Sequence, residues 1–157
     1  MTDMLPFATN GQGYPIWYPL TALLALLFAS AMLSIRSGWR RIAKRYPFRK
    51  TTAGRKFFFV RMSLGSGLNP PGYGGAVFVR VSPHGLGLSV FFLLRFYNPP
   101  MFLPWSEVTR CVRDQVRYYD VTKLSIREEE SEFTFFGKSG EAIYEVFQTI
   151  KRDGPRR

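Results

Sequence analysis

From Met4 to Ile35 the chain carries no charged residue, and over 16–35 its only polar side chains are Thr21, Ser30 and Ser34. A helix of about 20 residues rises roughly 30 Å, the hydrocarbon thickness of a bilayer. A helix of that length packed on a soluble core keeps a polar face, and this stretch has none wide enough. The pattern therefore predicts a transmembrane helix over 16–35, with Trp17 and Tyr18 at its outer end as interfacial aromatics. Pro19 falls in the first turn, where unpaired N–H groups tolerate it.

The periodicity then changes. Trp39, Ile42, Ala43 and Tyr46 follow at i, i+3, i+4 and i+7, with Arg40, Arg41, Lys44 and Arg45 on the other face and Pro47 as a stop. That is a short basic amphipathic helix. Its apolar face either lies among lipid headgroups or packs on the domain that follows.

From Lys56 onward the pattern is that of strands, rich in aromatic and β-branched residues. Seven are predicted, over 57–62, 76–81, 86–92, 101–105, 108–116, 121–127 and 132–136. Apolar and polar residues largely alternate over 121–127, so one face of that strand is buried. A Gly-rich loop over 64–75 separates the first two strands. It lacks the Lys-Ser/Thr ending and following helix of a phosphate-binding P-loop. Ser82-Pro83-His84-Gly85 and Asn98-Pro99-Pro100 read as turns, and 128–130 as an acidic one. A helix over 139–152 has Ile143, Val146, Phe147 and Ile150 as its apolar stripe, with acids early and bases late.

Charge sharpens the picture. Of 22 Lys plus Arg, nine fall in 36–56 without one acid, while 107–157 balances ten acids with ten bases. A nucleic-acid binder spreads its cations over a recognition surface. Here they band beside the apolar span, where the positive-inside rule places the cytoplasmic side. Anionic headgroups are attracted by such a band at about 1 kcal/mol per cation. A cleavable signal peptide is disfavoured, since no basic region precedes the apolar run, the run is too long, and the basic block follows it. The chain reads as 1–15 outside, 16–35 spanning, 36–55 a basic juxtamembrane segment, 56–152 a cytoplasmic domain and 153–157 a tail.

Cys111 is the only cysteine and His84 the only histidine. No internal disulfide and no ordinary protein zinc site follows from that inventory, and no cofactor is expected. Cys111 reads as a small buried residue and His84 as a solvent-facing turn residue. Trp105 is expected to anchor the domain interior and to need a partner for its N–H, with Glu107 either capping or pairing locally, Arg110 being one partner in reach. No nucleophile stands beside a base, so an enzyme acting on a small-molecule substrate is not expected.

Ser82-Pro83-His84-Gly85-Leu86-Gly87-Leu88, followed by Pro104-Trp105-Ser106-Glu107-Val108, two strands and a helix, resembles bacterial membrane-anchored pleckstrin-homology-like (PH-like) domains over about 55–152. The resemblance implies an α+β fold, a small antiparallel barrel or sandwich of about seven strands closed by a C-terminal helix. It also implies a bacterial inner-membrane location and an interaction role rather than a reaction. The inositol-phosphate site of eukaryotic relatives uses clustered Lys and Arg in the first hairpin, where this chain has Lys56 and Arg61.

Two functions are expected from this reading. The first is an accessory or assembly subunit docked on the cytoplasmic face of an integral-membrane complex. Its partner contacts would be the small residues Ala22, Ala25 and Ala29, which allow close helix approach, and the apolar Phe91, Phe92, Met101 and Phe102. The alternative is an anionic-lipid module, reading headgroups with Trp17, Tyr18, Arg36, Trp39, Arg40, Arg41, Lys44, Arg45, Arg49 and Lys50.

Overall fold

An apolar run with Pro19 confined to its first turn forms α1, Trp17–Ser37, and the basic amphipathic segment forms α2, Trp39–Arg45, in the computed structural model, which describes residues 17–50, 53–67, 70–127 and 129–154. The segment expected outside the membrane over 1–15, Glu128 of the acidic turn and 155–157 of the tail lie outside the described residues. α1 is long and apolar enough to cross a membrane. Between the two helices Gly38 sits at φ 73, a left-handed conformation that glycine adopts without Cβ strain. The chain turns there, and α2 lies on the domain instead of continuing α1.

Eight strands follow: β1 Arg55–Val60, β2 Met62–Gly65, β3 Val77–Ser82, β4 Gly85–Val90, β5 Met101–Pro104, β6 Val108–Val116, β7 Tyr119–Ile126 and β8 Glu132–Phe136. They form two four-stranded antiparallel sheets, ordered β1-β3-β4-β5 and β2-β8-β7-β6. The strand expected over 57–62 is two strands, because the chain passes from one sheet to the other at Arg61, and this raises the count from seven to eight. The helix α3, Lys138–Asp153, closes the domain. The architecture is α+β.

One core serves both sheets. Val77, Val79 and Val81 of β3 alternate inward with Leu86, Leu88 and Val90 of β4, and meet Leu124, Phe133, Phe135 and Ile143 from the other sheet and α3. The Trp105 indole N–H donates to the Ser82 carbonyl at 2.8 Å, and its ring lies 6.0 Å from that of Phe147. Glu107 differs from expectation: its carboxylate accepts from the Tyr46 hydroxyl at 3.2 Å, so it ties α2 to the domain. Met101 and Phe102 also depart from the sequence reading. They were expected on a partner-facing surface, but β5 pairs with β4 and Tyr46, and both side chains are buried in the domain.

Candidate membrane-docking site

Ser30, Ser34 and Ser37 recur at i, i+4 and i+7 and so share one face of α1. All three are buried, whereas most of α1 is exposed. Ser30 and Ser34 meet the loop between β4 and β5, and Ser37 meets Tyr73 between β2 and β3. The Ser30 hydroxyl donates to the Leu94 carbonyl at 3.3 Å, and the Ser34 hydroxyl donates to the Tyr97 carbonyl at 2.6 Å.

Asn98 closes the arrangement with no exposed surface. Its amide N–H groups donate to Ser30 Oγ and to the Leu94 carbonyl, each at 3.0 Å, while its Oδ1 accepts from the Tyr73 hydroxyl at 3.0 Å. Tyr73 has one proton and gives it to Asn98, so Ser37, 2.7 Å away, is the donor in their shared bond. Burial pushes the Tyr73 phenol far above its ordinary range, and the Ser37 hydrogen bond pulls it back only in part. The phenol therefore stays protonated and donating.

Trp39 completes this clamp. Its indole N–H donates to the Pro99 carbonyl at 2.8 Å, and its ring lies 4.9 Å from that of Tyr73. Of the two arrangements open for the amphipathic helix, the structure shows packing on the domain. Trp39, Ile42, Ala43 and Tyr46 are all buried against protein. Trp39, expected among the headgroup contacts, is fully enclosed and faces no lipid, because the turn at Gly38 directs it inward.

The clamped loop has an unusual surface. Phe92 is 60% exposed and Phe96 79%, with Phe91 and Tyr97 also exposed. Part of its backbone is nonetheless paired within the protein. Phe91 N–H donates to Ala76, Leu94 to Phe91, Arg95 to Phe92 and Asn98 to Leu94, and the Leu94 and Tyr97 carbonyls accept from α1 serines. Ser30 to Ser37 spans about 10 Å of helix axis. The loop therefore stands beside the last 10 Å or so of α1, presenting aromatic rings outward. Non-helical backbone survives at membrane depth only when its polar groups are paired within the protein or face water, and these bonds pair the loop's backbone at Phe91, Leu94, Arg95 and Asn98.

Trp17, Tyr18, Ala22, Ala25 and Ala29 are exposed along α1, and the three alanines lie to one side of the serine face. Arg36, Arg40, Arg41, Lys44, Arg45, Arg49 and Lys50 are exposed below it. Arg41 also donates to Glu129 at 2.9 Å, which links α2 to the turn before β8. Phe91 and Phe92, expected as partner contacts, lie on the exposed loop. The expected interface residues thus divide into two groups: the cations and the loop rings face outward, while Trp39, Met101 and Phe102 build the interior.

Sequence reasoning missed Ser37, Tyr73 and Asn98. The i, i+4, i+7 serines were the available signal, since three hydroxyls on one face of an apolar helix need acceptors. His84 is exposed in the turn between β3 and β4, and Cys111 is buried. Among the described residues no group of three or more His, Cys, Asp or Glu is placed to hold a metal ion. No model of a known protein family matches the chain, and a comparison with curated protein sequences likewise finds no match.

Proposed function

We propose that the chain is a non-catalytic, single-pass membrane protein whose PH-like domain caps the cytoplasmic face of a larger integral-membrane assembly as an accessory subunit. Two four-stranded antiparallel sheets, the passage of the chain from one to the other between β1 and β2, and a closing helix support the PH-like assignment. The basic band after α1 supports an N-terminus outside and a domain inside, and the PH-like resemblance implies a bacterial inner membrane.

The clamp carries this reading. A domain that works on substrates away from the membrane is served by a loose tether. Here the anchor, α2 and the β4–β5 loop are joined by buried hydrogen bonds through Asn98. The domain is held in one orientation to its helix, as a cap on a fixed partner requires. The exposed alanine face of α1, to one side of the clamp, gives a neighbouring helix a close approach, and Phe92 and Phe96 enter the adjoining leaflet.

Extraction of the tagged full-length chain into nanodiscs, followed by mass spectrometry, tests the reading. Stoichiometric recovery of an integral-membrane partner is expected, with loss of that partner on Ala25→Trp while the domain remains folded. Recovery as a lone monomer from native membranes overturns it.

A further inference from the structure

The outer face of β2, β8 and β7 carries mostly polar side chains, and a groove of about 870 Å³ runs along it. Strand register sets its floor. Ser63, Thr134 and Lys123 are paired in one row, and Gly65, Glu132 and Ser125 in the next. The glycine-rich loop after β2 forms one wall and the tip of the β6–β7 hairpin the other.

Charge along the groove is divided by sign. Arg61 stacks on the rings of Tyr119 and Phe136, 5.8 and 6.0 Å from their centroids, and Arg117 stands in the adjoining hairpin tip. Glu132 and Glu130 lie at the other end. From Glu132 to Phe136 is about 13 Å of extended chain. Lys123, in the row between, is paired with its own Asp114 at 2.6 Å. Arg110 extends the Glu132 row onto β6 but lies outside the groove.

The two walls do not suit a solvated surface. Val116 pairs with Tyr119, so the hairpin loop is only Arg117 and Tyr118. A two-residue loop with positive φ at its first position favours glycine there, yet Arg117 holds φ 57. A strained residue of this kind marks a candidate functional position. The turn carries Tyr118 clear of the domain, 95% exposed, with Tyr119 55% exposed beside it. The opposite wall is open, since a Cβ at Gly67 or Gly74 would meet nothing within 4 Å. One molecule thus has both a projecting ring and a wall without side chains to receive one.

We infer that this face is an interface between two copies of the chain, related by a two-fold axis at the Ser63, Thr134 and Lys123 row. A two-fold contact pairs each residue i with j and each j with i. With the two faces antiparallel, Arg61 and Arg117 of each copy meet Glu132 and Glu130 of the other. Tyr118 of each copy reaches the other's glycine wall, which begins at Gly65 in the Glu132 row. A partner of one charge sign matches half of this groove and opposes the rest. A second copy matches both halves. The face lies apart from the clamp and from the alanines of α1, so the contact leaves both available.

Resonance energy transfer between donor-labelled and acceptor-labelled full-length chains in lipid vesicles tests the inference. The parent is expected to show transfer that saturates at a one-to-one complex. Arg117→Glu and Glu130→Arg, both at exposed positions, should each weaken self-association about tenfold by opposing like charges at both ends. Mixing these two variants should restore it, because the reversed charges then meet their opposites, whereas a loss caused by misfolding is not restored by mixing. Tyr118→Ala should also weaken it. Ala25→Trp, on the anchor, should leave transfer unchanged. A monomeric parent overturns the proposal, as does failure of the mixture to recover while unfolding midpoints show both variants folded. Loss with Ala25→Trp alone overturns it in favour of contact through α1. The subunit reading is scored by recovery of a membrane partner, so the two fail separately.

Discussion

Replacing Asn98 by Ala removes the residue on which the clamp converges. The side chain makes three hydrogen bonds, to Ser30 Oγ and from the Tyr73 hydroxyl, both buried, and to the Leu94 carbonyl, partly buried, each at 3.0 Å. Buried hydrogen bonds contribute about 1 kcal/mol each after desolvation is counted. The groups left behind keep other partners: Ser30 still donates to Leu94, and Tyr73 still bonds Ser37. The orphaning penalty is therefore small, and the expected loss is about 2–4 kcal/mol. Urea unfolding in mild detergent, followed by tryptophan fluorescence, measures it, because Trp39 lies within the clamp. Ser30→Ala in the same background supplies a double-mutant cycle with an expected coupling of about 1 kcal/mol. Thr21→Ala serves as a control, since that hydroxyl bonds only back to Tyr18 of its own helix. An Asn98→Ala chain within about 0.5 kcal/mol of the parent, or strict additivity with Ser30→Ala, would refute the clamp as a source of stability.

Three further outcomes follow from the domain itself. Trp105→Phe loses the bond to Ser82 and part of a buried ring, and should lower stability by about 2 kcal/mol in the same unfolding assay. Gly85→Ala should cost about 3 kcal/mol or prevent folding, because a Cβ there would meet the Leu103 carbonyl and come within 2.9 Å of Pro104 Cα, both backbone atoms of β5. Burial pushes the Cys111 thiol from 9.0 up to about 11, against the pull of Arg113. The folded chain thus keeps its proton to higher pH than the unfolded one. That stabilisation is complete below pH 9.0 and is lost as pH rises through about 11. The unfolding midpoint should fall over this window, and Cys111→Ala should remove that part of the slope; identical pH profiles for parent and variant would contradict the assignment.

Much of the fold was legible in the chain because the relevant signals are local. The apolar run over 16–35, the strand pattern from Lys56 on and the stripe on the last helix each rest on short-range periodicity. The boundary at Gly38 and the split of the first strand at Arg61 were harder. Both depend on where the chain must turn to meet a second layer, which local pattern does not encode. Asn98 shows the limit most clearly. As part of Asn-Pro-Pro it reads as a solvated turn residue, and its burial is decided by Ser30 and Tyr73, 68 and 25 residues away. Met101 and Phe102 erred the other way: an apolar stretch beside two prolines looks like an exposed sticky loop until β4 pairs with it. Of the candidate site, the cations and Phe91–Phe92 were read from composition, while the groove on β2, β8 and β7 depends on cross-strand register and a strained turn.

Placing the β4–β5 loop at the bilayer, beside its own anchor, is the central claim, and spin labels in nanodiscs test it most directly. A label at Phe96, which is 79% exposed, should show the oxygen-rich, nickel-poor accessibility of a residue in the acyl-chain region. A label at His84, at the opposite end of β4 and roughly 20 Å from the loop by strand length, should show the reverse. Aqueous accessibility at both positions would contradict the account, because the domain would then hang free of the membrane that α1 is proposed to cross.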